Sequence, residues 1–185
     1  MRISHKLLLV AVTALAAMAF GASSASAQVS VAEEPTGIPC DPTCQLHIVG
    51  ATTLVAHIPM LGEVTASACQ DEFIADLTAG GTGGITATLS GPSCTQQPCE
   101  EPWEVHGLTE VAPDTVDAHV EFCLAGSDGE HKNCEIDVRI TEVPGGSHNY
   151  ALTSVGQSCI NHQGIEVEVN GNWTTEGTNA ELVHS

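Results

Sequence analysis

Eight cysteines between positions 40 and 159 constrain this chain more than any other feature. In an exported protein an even set of this size reads as a disulfide framework. Their placement around turn-forming residues narrows the pairing. The midpoint of Cys69 and Cys94 falls beside Gly81, within the Gly80–Gly84 cluster, and that of Cys134 and Cys159 falls between Gly146 and Ser147. Cys99 and Cys123 flank Val111–Asp114 in the same way. A hairpin centred on each turn sets its two cysteines face to face, where Cα atoms lie ~4.5–5.5 Å apart, within reach of a disulfide. Cys40 and Cys44 remain, close enough to bridge locally. The expected bonds are Cys40–Cys44, Cys69–Cys94, Cys99–Cys123 and Cys134–Cys159. Cys40-x3-Cys44 and Cys94-x4-Cys99 also have the look of two halves of a zinc site. Export and the even count favour disulfides.

Export is read from residues 1–27. Arg2 and Lys6 form a positive start, Leu7–Ala22 is apolar and uncharged, and Ala25-Ser26-Ala27 supplies a small-residue cleavage pattern. The apolar run is short for a membrane span and has no basic flank after it. A cleaved secretory signal is expected, with a mature chain from Gln28 that has no membrane span and is secreted, into the medium or a periplasm.

Residues 28–185 alternate apolar and polar side chains with period two. Val116, Ala118, Val120, Phe122 and Leu124 point one way, and Asp117, His119 and Glu121 the other. Ile136, Val138 and Ile140 alternate with Glu135, Asp137 and Arg139, and Ile165, Val167 and Val169 with Glu166 and Glu168. Ile85, Ala87 and Leu89 alternate with Thr86 and Thr88. Half-buried antiparallel strands have this signature. Turns are expected at Gly80–Gly84, Ala112–Asp114, Ser127–Gly129, Pro144–Ser147 and Asn170-Gly171, with loose tails at 28–38 and 177–185.

The segments Cys69–Cys94 and Cys134–Cys159 have equal length and share seven identities in 26 positions, where composition alone gives roughly two. Ala56-His57-Ile58 and Ala118-His119-Val120 extend the likeness. Two internal repeats are expected, about 39–97 and 98–177. Packed face to face, they predict one all-β domain over 28–185: an antiparallel β-sandwich of about 8–9 strands, stabilised by disulfides.

Charge excludes some functions. Without residues 1–27 the chain keeps 23 acidic residues against Lys132 and Arg139, a formal net charge of −21. Such a surface repels nucleic-acid phosphates and anionic membranes. No nucleophile elbow, phosphate loop or redox Cys-x-x-Cys motif is present. Gly91-Pro92-Ser93-Cys94 and Gly156-Gln157-Ser158-Cys159 lack the closing glycine of an elbow. No catalytic residue and no cofactor are therefore expected. Asp128-Gly129-Glu130 lacks the repeated ligands of a calcium loop and reads as a turn. Asn172-Trp173-Thr174 has the form of a glycosylation sequon. Trp103 and Trp173 read as core.

Asp117, His119 and Glu121 are the metal candidates. They share the outer face of one strand with ~6.6–7 Å between neighbours, and imidazole with carboxylates suits zinc. The duplicate position His57 has Val55 and Pro59 in place of the acids. The leading expectation is a non-catalytic extracellular binding or structural module with an unknown ligand or partner. A metal-dependent protein using Asp117, His119 and Glu121 is the alternative. A secreted enzyme inhibitor presenting Cys94–Cys99 is a further one.

Overall fold

The structure, a computed structural model, describes residues 29–34, 36–126, 131–144, 149–155, 158–160, 165–176 and 180–184. The expected signal segment and the turns over Ser127–Gly129 and Gly145–Ser147 lie outside the described residues.

Among the described residues every regular element is a strand. In chain order these are β1 (Val29–Glu33), β2 (Ile38–Pro39), β3 (Cys44–Ile58), β4 (Gly62–Leu77), β5 (Gly83–Ser90) and β6 (Gln96–Pro98). There follow β7 (Trp103–Ala112), β8 (Thr115–Gly126), β9 (His131–Glu142), β10 (Tyr150–Ser154), β11 (Ser158–Ile160), β12 (Glu166–Thr175) and β13 (Ala180–His184). The all-β, antiparallel class expected from the alternation is what the chain adopts.

Eight strands pair in the order β3-β4-β5-β7-β8-β9-β10-β12, and β12 pairs back onto β3. The ladder of the described strands thus closes on itself, which limits the liability of exposed strand edges. The opposing faces expected of a sandwich are here opposite walls of one continuous ring. Its shortest seams are β5–β7, paired from Gly83–Ile85 to Trp103–Val105, and β10–β12, paired from Ala151–Thr153 to Asn172–Thr174. Beyond the first, β6 crosses to pair with β8.

The inner face is apolar. Val116, Ala118, Val120, Phe122 and Leu124 are all buried, as are Ile136, Val138, Ile140, Val167 and Val169. Trp173, Phe73, Trp103 and Phe122 form an aromatic row across the interior, with ring centroids 4.9–5.9 Å apart in successive pairs. Both tryptophans are core, as expected. An apolar inside with a charged outside inverts the pattern of a transmembrane barrel. No helix among the described residues is long and apolar enough to cross a membrane.

Two expectations are corrected. The tails are not loose: β1 pairs with β13 from Val29–His184 to Glu33–Ala180, and β2 adds a third strand. Val31 and Ala180 are wholly buried where this small sheet covers one end of the ring. Asn170-Gly171 is no turn, and β12 runs straight through it. The Trp173 ring lies on Gly171, where a Cβ would come within 1.8 Å of it. Glycine serves there as a seat for an aromatic side chain.

Candidate functional site

Three places carry chemistry beyond packing. The first is the outer face of β7–β9, where the metal candidates stand. Arg139 holds Asp117 with two parallel hydrogen bonds, Nε to Oδ1 and Nη2 to Oδ2, each 2.9 Å. That fork raises the affinity of the guanidinium for its proton. His119 Nδ1 lies 3.0 Å from Asp137 Oδ1, and Glu121 Oε2 lies 3.1 Å from His106 Nε2. His106 enters through an irregularity in the β7–β8 register between Val105 and Gly107, and its ring centroid lies 5.9 Å from that of His119. Asp117, His119 and Glu121 are thus neighbours on one face, each with its own partner on an adjacent strand. Among the described residues no group of three or more histidine, cysteine or acidic side chains is arranged to hold a metal ion.

The second place is inside the ring. Along β4, Ser67, Cys69, Asp71, Phe73, Ala75 and Leu77 point inward. One of them is a carboxylate, 5% exposed. Asp71 Oδ2 accepts hydrogen bonds from Trp173 Nε1, at 2.7 Å, and from the Thr52 hydroxyl. Among the described residues Oδ1, also buried, has no partner. Burial pushes the Asp71 carboxyl above the ordinary aspartate range, against the opposing pull of the Thr52 and Trp173 hydrogen bonds.

The third place is the end of the β3–β4 hairpin. Residues 62–66 are exposed on both strand faces, so this end stands clear of the core. Met60 is fully exposed, Leu61 largely so and Val64 partly. The turn is closed by Leu61 N–H donating to Ile58 O at 3.1 Å, with Met60 at φ 73°.

The stretch considered as an inhibitory loop, Cys94–Cys99, carries strand β6. It is tied to the ring by Cys69–Cys94 and Cys99–Cys123, and its Gln96 side chain is buried. The other two disulfides are Cys40–Cys44 and Cys134–Cys159, and Cα separations across the four run from 4.5 to 5.4 Å.

Sequence reading missed Asp71 and Met60-Leu61. For Asp71 a signal existed: it shares the inward phase of Cys69, Phe73, Ala75 and Leu77. For the tip, the signal was Met-Leu in a turn where Gly, Asn or Asp is usual.

No protein-family profile matches this chain, nor does any curated protein or any solved structure.

Proposed function

We propose that this chain is a secreted, non-catalytic binding module, working in the medium or a periplasm, and that it engages a partner protein through the end of the β3–β4 hairpin. Met60 carries this reading. The turn Ile58–Leu61 has proline at its second position and a positive φ at its third, the arrangement of a type II turn. That third position favours glycine or asparagine. A methionine held there costs on the order of 1 kcal/mol and gains no burial within the chain. Strain of this kind is typically kept where a side chain must be presented.

The partner chemistry follows from the surroundings. Glu63 flanks the tip, and His57 lies 3.8 Å from Glu63 and 3.3 Å from Glu168. A second copy of a chain with net charge −21 is repelled. An apolar pocket with a basic rim fits best, because opposite charge steers the encounter while methionine adapts to the pocket.

The test compares the unmodified protein with the M60S/L61S double variant. Each is immobilised and exposed to the medium and cell-surface fraction of its source. One partner should bind the unmodified protein, weaken as salt rises, and be lost with the double variant at an unchanged melting temperature. Retention by the double variant would remove the hairpin from the interface. A partner that never appears would end the binding-module reading.

A further inference from the structure

The interior of the ring is not filled. An apolar void of about 100 Å³ runs between its walls, bordered among others by Phe73, Leu89, Trp103, Ala118, Val138 and Trp173. Packed interiors seldom leave spaces much larger than one water molecule, and an apolar cavity of roughly 150 Å³ takes up benzene. A second void of about 20 Å³ lies under the terminal sheet, between Val31, Tyr150, Ala180 and Leu182. Leu46, Leu77, Leu108, Ile140 and Leu152 border both, so the two spaces adjoin.

The larger void is bordered almost wholly by apolar side chains, with Thr52 and Gln96 the polar ones among them. Gln96 is 7% exposed, and its Nε2 donates to Thr95. Among the described residues its Oε1 has no partner. Ser93 and Thr95 bond to Ala68 and Ser67, so the chain that carries Gln96 runs along β4 away from Asp71. A buried oxygen without a donor, beside an apolar space, is costly unless something donates to it.

We propose that the ring interior binds a small apolar molecule bearing a hydrogen-bond donor, with its hydrocarbon part in the void and its donor on Gln96 Oε1. Entry is by the β5–β7 seam, which has three ladder pairs and leaves β5 unpaired to β7 from Thr86 to Ser90, the stretch that holds Leu89. A hydroxyl suits this end better than an ammonium, because the surrounding wall is apolar and an uncompensated charge there is costly to bury. The aromatic row supplies a flat, polarisable wall for a ring.

The probes are cyclopentanol and methylcyclopentane, near-isosteres that differ by the hydroxyl. Binding is followed by the indole Nε1–H nuclear magnetic resonance signals of Trp103 and Trp173, the only tryptophans in the chain. Both border the void, and Trp173 donates to Asp71. Cyclopentanol should shift the Trp173 signal saturably, with affinity about tenfold above that of methylcyclopentane. Q96M should narrow that gap, and A118L, which fills the void, should abolish saturation by either probe. No saturation by cyclopentanol up to about 10 mM in a folded sample overturns the proposal. Equal affinity for the two overturns the assignment of the polar end. The comparison on the unmodified chain stands whether or not A118L folds.

Discussion

Trp173 Nε1 donates a 2.7 Å hydrogen bond to Asp71 Oδ2, joining β12 to β4 across the intervening strand β3. The residue between them is Gly50, which faces Trp173 on one side and Asp71 on the other. A Cβ at Gly50 would come within 2.3 Å of Asn172 O and 2.6 Å of the Trp173 ring. The bond therefore exists because β3 carries no side chain where the indole passes over it.

Gly50→Ala should thus destabilise the fold by about 1–3 kcal/mol, the usual cost of overpacking. Urea unfolding gives the value, and near-ultraviolet circular dichroism should show the Trp173 environment change. A neutral result would mean that the indole does not lie over Gly50.

Asp71 sets a pH dependence of known sign. Its carboxyl holds its proton to a higher pH when folded than when unfolded. Its contribution to stability is therefore greatest below the ordinary aspartate value of about 3.9, and falls as pH rises toward the raised folded value. Above that it is constant. Asp71→Asn cannot titrate, so melting curves from about pH 3 to about pH 7 should show the variant gaining on the parent as pH rises. A difference that shrinks or reverses would place the carboxyl in a solvated site.

The disulfides should differ in weight. Cys69–Cys94 closes a loop with a separation of 25 residues, and Cys40–Cys44 one of 4. On the loop-closure account, removing the first by paired alanines costs about 3.5 kcal/mol and the second about 2 kcal/mol. Denaturant midpoints of the two double variants test the order. Peptide mapping that joined Cys94 to Cys99 would refute the framework.

Tyr150 ties the terminal sheet to the ring. Its hydroxyl accepts a hydrogen bond from Leu182 N–H at 2.9 Å, and its own N–H donates to Thr175 Oγ1 at 2.9 Å. Tyr150→Phe should cost about 1 kcal/mol, a fall of about 2–4 °C in melting temperature. Hydrogen exchange at Leu182 should quicken. Unchanged exchange would leave β13 held by its ladder with β1 alone.

Met60→Gly should raise stability by about 0.5 kcal/mol, since glycine adopts a positive φ without strain. A loss above about 1 kcal/mol would mean that the methionine packs against the chain rather than being presented.

Much of the fold was legible because period-two alternation is a property of each strand alone. The inward set from Val116 to Leu124 needs no knowledge of what it faces, and a cysteine pair centred on a turn is local arithmetic. Asp117, His119 and Glu121 were placed correctly on an outer face for the same reason. What those three touch was not legible, because Arg139, Asp137 and His106 come from neighbouring strands in a particular register. Closure of β12 onto β3, the pairing of β1 with β13, and the meeting of Asp71 with Trp173 join residues about a hundred or more positions apart. The Asn170-Gly171 pair, a turn signal by sequence, became strand once the Trp173 ring took Gly171 as its seat. Which face of each strand is buried and which cysteines can meet follow from short-range geometry and so can be read along the chain. Which strands are neighbours, and where the ring leaves a void, come from packing the whole core at once, because pairing across a long chain is not a local property.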